Sequence, residues 1–370
     1  MARKLSSDKA LFAAFIALSL FGCVMIYSAS AVSSAQSGGN PYKYLIKQLL
    51  ALAAGGAAAF LVYRTDYRKF AKPWVGYLTF GLAWLLCVGA LFRPPINNAR
   101  RWLPLGPVML QPSEMLKIGL ALVLASILAR KVQTTGDPER AIVASLVFTA
   151  LASGVVLLEP DMGTAVCYVM VCAVLFWLSG IRARFFAIGA AGLIPVIVAL
   201  AFSADYRRAR IMSFMHPEND PLGAGFQALQ SLIAVGAGGI SGNGLGGGRQ
   251  KLFFLPYPHT DFIFAIVGEE LGFLGALAVV ACFGVVAWRG LRAARRAPDA
   301  FASYLAAGAT ALIVVQAAIN LSVVLALVPT KGLPLPFVSY GGSSLVASWI
   351  AAGLILNVSQ HEVAPVEGER

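Results

Sequence analysis

With 370 residues, of which 58% are hydrophobic and only 12% charged, this chain is too apolar for an ordinary water-soluble domain. A mean hydropathy of +0.76, together with repeated apolar runs of roughly 17 to 25 residues, defines a polytopic helical membrane protein. The net charge of +12 does not point to nucleic acid, because the basic residues stand in short clusters between apolar runs, where membrane orientation accounts for many of them.

In chain order, the apolar runs predict ten spans at residues 10–30, 46–63, 74–92, 114–129, 141–158, 164–179, 185–203, 262–288, 301–328 and 343–358. The expected fold is an all-α polytopic membrane protein forming one domain over residues 1–370, with a large extracytoplasmic loop over 204–261 between the seventh and eighth spans. The first run is long enough to span, so the "SASA" at Ser28 to Ala31 is read as part of an uncleaved first helix rather than a processing site. Cys23, Cys87, Cys167, Cys172 and Cys282 lie in apolar runs without metal-ligand spacing and read as small buried hydrophobes; no metal site is expected.

If the spans alternate, the clusters at Arg3/Lys4/Lys9, Arg64/Arg68/Lys69/Lys72, Arg130/Lys131/Arg140, Arg182/Arg184 and Arg289/Arg292/Arg295/Arg296 share one side. That side is expected to be cytoplasmic, with both termini on it. Arg93, Arg100, Arg101, Arg207, Arg208, Arg210, Arg249, Lys251 and Lys331 then lie outside, against the positive-inside tendency, and an anionic ligand there would account for them. Within the 204–261 segment, "GAGGISGNGLGGGRQ" contains a G-x-G-x-x-G match at Gly242 to Gly247, but no βαβ unit surrounds it. Either it is a flexible connector, or its backbone N–H groups face an anion with Arg249 and Lys251 beside it.

Five segments in fixed order carry a resemblance: "ARRWLPLG" (99–106), "QPSEMLK" (111–117), "EPDMGTA" (159–165), "GLGGGRQKLFFLPYPHTDFIFAIVGEELGF" (244–273) and "PTKGLPLPFVSYGGSSL" (329–345). Together they resemble the SEDS family, named for shape, elongation, division and sporulation. The resemblance implies a ten-span peptidoglycan glycosyltransferase of the bacterial cytoplasmic membrane. Such an enzyme polymerises lipid II on the outer face with a class B penicillin-binding transpeptidase as partner, and other division proteins are possible partners. "PTKGLPLPF" and "GRQKLFFLP" look like the division branch, which implies septal localisation; the alternatives are an elongation-type polymerase or a lipid II transporter. The candidate polar residues gather at the outer ends of the spans, as an enzyme needs, rather than continuing through the bilayer as a transporter would need.

Polymerisation requires a sugar hydroxyl to displace a lipid diphosphate, which asks for one general base and several cations. Asp261 and Glu269 would differ by roughly 12 Å in height on one helix, a poor match to the paired carboxylates of a glycosidase at about 5 to 9.5 Å. Asp261 is expected to be the base, the alternative being a helix cap; His259 reads as a hydrogen-bonding loop residue beside it. Glu114 and Lys117, three apart after Pro112, share one face of a first helical turn near the outer surface, either as a self-neutralising pair or with Lys117 on the diphosphate. Arg101 and Trp102 form a neighbouring wall for phosphate and sugar, or Trp102 anchors at the interface. Glu159 and Asp161 are solvated turn acids, or else a cation or hydroxyl site. Glu269 and Glu270 lie about two turns into the eighth span, where one of them should meet another span, for example through Lys117 or Asn320. Lys331 is a second diphosphate cation, with Ser339, Ser343 and Ser344 available to sugar or backbone. No cofactor is evident, and a divalent cation assisting the diphosphate is compatible with the chemistry.

Overall fold

The computed structural model describes residues 7–36, 39–96, 99–106, 108–202, 208, 212, 214–215, 225–252, 255–256, 258–330 and 332–361. Helices lie at each of the ten expected positions: α1 (Lys9–Gln36), α2 (Lys43–Arg64), α3 (Pro73–Leu91), α4 (Pro112–Thr135), α5 (Ile142–Leu158), α6 (Met162–Leu178), α7 (Ala183–Phe202), α9 (Ile263–Arg295), α10 (Ala300–Val324) and α11 (Gly342–Ser359). Among the described residues, seven helices are long and apolar enough to cross a bilayer, the span of α5 counting from Pro138. Between α7 and α9 the expected long loop contains a further helix, α8 (Phe226–Ala237). A short antiparallel hairpin, β1 (Leu103–Leu105) and β2 (Val108–Leu110), precedes α4. All five cysteines are free.

The centre of the bundle is α4, whose side chains from Pro112 to Ala129 are almost all buried against α3, α5, α6, α10 and α11. A helix apolar on every face is stable only when neighbours or lipid cover it on all sides. Its C-terminus closes on Gly136 in the left-handed conformation (φ 66°), donating to Val132 O. The helix ends sort to two faces. At one, Asp8 pairs with Arg289 at 2.6 Å, Tyr67 donates to Asp299 at 2.7 Å and Asn357 donates to Val62 O at 2.7 Å, which brings together basic clusters distant in sequence. At the other, Ser343 Oγ meets Gln111 N at 3.0 Å and Ser339 Oγ donates to Thr260 O at 2.7 Å, joining the starts of α4, α9 and α11.

The long helix α9 is broken at Gly272, whose φ of 66° and ψ of −161° are non-helical. The break frees backbone groups that cannot stay unpaired in apolar surroundings. Residues 239–244 take them up: Asn243 N donates to Glu269 O (3.0 Å), Gly244 N to Glu270 O (2.9 Å), Phe273 N to Gly239 O (2.9 Å) and Leu274 N to Ile240 O (3.2 Å). A Cβ on Gly272 would fall 2.4 Å from Gly242 N, so only glycine allows this approach.

Candidate active site

Asp261 stands just before α9. The helix begins at Ile263, and its N-cap position is held by Phe262, which has no side-chain cap hydrogen bond. The loop carrying it is fastened to residues 333–340: Ser339 Oγ donates to Thr260 O at 2.7 Å, Tyr340 N to His259 O at 2.9 Å, and Asn320 Nδ2 to Asp261 O at 2.8 Å. Phe337 in the facing loop adopts a left-handed backbone (φ 66°), held there by a buried ring packed on Phe15 at 5.2 Å and Trp349 at 5.8 Å. Gly332 covers the carboxylate: a Cβ built on it would lie 3.0 Å from Asp261 Oδ2 and 3.8 Å from Arg101 Nη2. Thus Asp261 and Arg101, 160 residues apart in sequence (261 − 101), flank one bare stretch of backbone.

Arg101 is oriented from behind by Asp161, Nη1 to Oδ2 at 3.2 Å, and its guanidinium lies 5.8 Å from the Trp102 ring. Asp161 also caps α6, accepting from Thr164 N at 3.0 Å and Thr164 Oγ1 at 2.9 Å. The reading of Glu159 and Asp161 as solvated turn acids is therefore corrected, since both are buried. The Glu159 oxygens have no N–H or O–H donor, only the nearby Cys87 thiol; burial first, and then the Asp161 charge, pushes its carboxyl up to about 8, with Cys87 and Arg101 opposing. His259 is buried with its ring 4.3 Å from Tyr44 and 5.6 Å from Tyr340, and burial lowers it to about 4, so it is neutral at pH 7. Its Nδ1 is unpaired, while its backbone carbonyl accepts from Tyr340 N.

Glu114 and Lys117 form the expected first-turn pair, at 2.8 Å, with Pro112 opening the helix. Both are buried within the protein, with Gln316 of α10 on Lys117 and Pro334 O on Gln316. Lys117 Nζ donates also to Gln316 Oε1 at 2.7 Å, and Gln316 Nε2 donates to Pro334 O at 2.8 Å. A cavity the size of one water molecule, about 10 Å³, adjoins Glu114, Lys117 and Gln316.

The glycine-rich stretch does turn its N–H groups toward an anion, but the anion is the chain's own. Glu269 accepts from Arg249 N at 2.6 Å and Gln250 N at 3.2 Å, and Glu270 accepts from Gly246 N at 3.0 Å. Lys251 is buried and pairs with Glu270 at 2.6 Å, while Ser28 of α1 donates to the same carboxylate at 2.8 and 2.7 Å. Glu270 thus meets another span, through Ser28 of α1, although the examples Lys117 and Asn320 are not its partners; the remaining partners come from the preceding loop. Arg249 itself is exposed. Ser343 and Ser344 bond locally, to Gln111 N and Met109 O and to Gln316 Nε2, and Ser339 also accepts from Leu335 N. Lys331, Arg207 and Arg210 lie outside the described residues. Sequence reasoning missed Gln316 and the role of Gly332. The amide of Gln316, one turn before that of Asn320 in the apolar run 301–328, was the available signal.

A helical membrane bundle with a polar, partly enclosed cluster gathered at one end defines the class of protein. Residues 8–364 match the family described as cell cycle protein, FTSW_RODA_SPOVE, and the chain belongs to it. It is 40% identical over 364 residues to stage V sporulation protein E of Bacillus subtilis, covering 97% of this chain and 98% of that one. It is 38% identical over 366 residues to the probable peptidoglycan glycosyltransferase FtsW of Trichlorobacter lovleyi, covering 98% and 96%. Among solved structures it resembles a chain from a peptidoglycan synthase complex that coordinates polymerization and crosslinking (TM-score 0.78, 30% identity, 96% and 98% covered). It also resembles the rod shape determining protein RodA of Thermus thermophilus (TM-score 0.69, 28% identity, 97% and 99% covered).

Proposed function

We infer that this chain is a peptidoglycan glycosyltransferase that polymerises lipid II, with Asp261 as its general base. The observation that carries the reading is that the Asp261 carboxylate and the Arg101 guanidinium both border Gly332, 3.0 and 3.8 Å from where a Cβ there would lie. In the proposed reaction the acceptor sugar hydroxyl gives its proton to Asp261 as its oxygen attacks the anomeric carbon of the donor. The bond from that carbon to the lipid diphosphate breaks, and the diphosphate leaves with the bonding electrons. Arg101, held by Asp161, supplies positive charge where the leaving group gathers negative charge. Arg249 and Lys331 are further candidates for the diphosphate, with Trp102 against the sugar. Lys117 reaches a phosphate oxygen only by exchanging Glu114 or Gln316 for it. Lys251 belongs to the support beneath the site, through Glu270. Asp161 is already engaged by Arg101 and Thr164, and a divalent cation accompanying the diphosphate would be coordinated by phosphate oxygens, so no step is derived through a metal.

The division role is supported by relatives named FtsW at 36 to 39% identity, and the relatedness to a synthase complex supports a crosslinking transpeptidase as partner. All ten spans are proposed to cross the membrane with both termini cytoplasmic and the Asp261 cluster outside, at the division septum. The test is purified protein, with and without the transpeptidase, incubated with lipid II and analysed for glycan strands. Asp261→Asn keeps shape and removes the proton acceptor, and is expected to lower turnover on the order of 10² to 10⁴ with fold and partner binding retained. Near-normal polymerisation by Asp261→Asn rejects Asp261 as base.

A further inference from the structure

We propose that Gln316 and Asn320, one turn apart on α10, are positioning residues that tie both halves of the candidate site to a single piece of backbone, Leu333–Pro334. The inference rests on the glycosyl-transfer reading above. Asn320 Nδ2 spends one N–H on Leu333 O at 2.7 Å and the other on Asp261 O at 2.8 Å. Gln316 Nε2 donates to Pro334 O at 2.8 Å and Ser344 Oγ at 3.4 Å, while its Oε1 accepts from Lys117 Nζ at 2.7 Å. Each amide therefore holds consecutive carbonyls of one loop at one contact and a chemically important residue, Asp261 or Lys117, at another. Neither amide occupies the reacting position.

The residue type follows from the geometry. The i, i+4 spacing stacks the two side chains on one helix face, and both are buried, at 3% and 1% exposure. Asp261 O, Leu333 O and Pro334 O lie outside helices and need donors once buried. An amide is the neutral side chain that carries two donors on one atom and an acceptor beside it; a carboxylate would set oxygen against oxygen, and an aliphatic chain would orphan the carbonyls. The loop so held is the one whose Gly332 covers Asp261, and Ser339 and Tyr340 of the same loop bond the Thr260 and His259 carbonyls. A shift of Leu333–Pro334 consequently displaces the base and the buried cation together.

The two amides have separable kinetic signatures. Asn320→Leu loosens Asp261 and is expected to lower kcat for lipid II polymerisation tenfold or more with the lipid II KM unchanged, about the loss that small misplacements of reacting groups produce. Gln316→Met removes the tie that positions Lys117 Nζ relative to Pro334 O, leaving Lys117 to Glu114 alone, and is expected to raise KM severalfold with a smaller change in kcat. Because both amides brace one loop, the double variant should lose less than the product of the single losses. Asn320→Gln, which retains the two donors one methylene further out, should recover part of the kcat lost in Asn320→Leu. The same series includes Asp261→Asn, with folded fraction followed by thermal unfolding of each variant. If Asp261→Asn polymerises normally, the site reading itself falls. If Asp261→Asn is inactive while Asn320→Leu keeps wild-type kcat, the bracing role alone is overturned. It is equally overturned if both amide variants lose kcat and KM performance only in proportion to their folded fraction. Should Asn320→Leu not fold, Gln316→Glu decides: it keeps the acceptor for Lys117 and loses the donor to Pro334, so a raised KM supports the brace and wild-type kinetics reject it.

Discussion

Glu270→Gln isolates the charge of the latch beneath the site, because the amide retains an oxygen for Ser28 and Gly246 N while leaving Lys251 without a counter-charge. In the folded protein Lys251 Nζ lies 2.6 Å from Glu270 Oε1, and the two side chains are 4% and 0% exposed, so water does little to screen a stranded ammonium. Removing one partner of so buried a pair costs about 3 to 5 kcal/mol. Glu270→Ala gives up in addition the hydrogen bonds from Ser28 Oγ and Gly246 N, about 1 kcal/mol each. The double variant Lys251→Met/Glu270→Leu removes both charges and fills the space with apolar atoms. It should return to within about 2 kcal/mol of the parent, because an ion pair replaced whole by hydrophobic packing is often neutral. Reversible unfolding in mixed micelles measures all four proteins. A loss below about 1 kcal/mol in Glu270→Gln, or a double variant as unstable as the single ones, would show that the pair is hydrated and refute the reasoning.

Gly332→Ala places a methyl 3.0 Å from Asp261 Oδ2 without demanding a left-handed backbone, so folding should be retained while glycan synthesis falls about threefold to tenfold; unchanged turnover would show that the carboxylate is free to move aside. Glu159, in the turn between α5 and α6, holds its proton to about pH 8 when folded and releases it near the ordinary carboxylate range when unfolded. The stabilisation from that proton is complete below the unfolded value and is lost as pH rises through about 8. Thermal midpoints should therefore fall between about pH 5 and 8 in the parent and fall less in Glu159→Gln; parallel pH curves would contradict the assignment. For orientation, Ser241→Cys and Gln133→Cys, both at exposed positions, should react with an impermeant thiol reagent from outside and from inside respectively, and labelling of both from one side would break the proposed topology.

By itself the sequence determined the solvent, the positions of the ten long helices and the residues that carry charge toward one end of the bundle. Length and hydropathy are local quantities, and lipid leaves a helix few alternatives. Local spacing likewise made the Glu114–Lys117 pair legible, since i, i+3 contacts follow from helix geometry alone. Which partner each remaining polar group finds was decided only by tertiary structure. For Glu269 and Glu270 the sequence suggests another span, Lys117 or Asn320 for example, and the choice of Lys251 and Ser28 by Glu270 depends on the Gly272 break that draws residues 239–251 against α9. Glu159 and Asp161 could be read as solvated turn acids because their burial comes from segments distant in sequence, Arg101 beside Asp161 and Cys87 beside Glu159, and not from their own turn. Asp261 and Arg101 both border Gly332 because polar groups of distant segments take one another as partners where water is excluded, as Ser339 with Thr260 O, Asn320 with Asp261 O and Leu333 O, and Arg101 with Asp161 do.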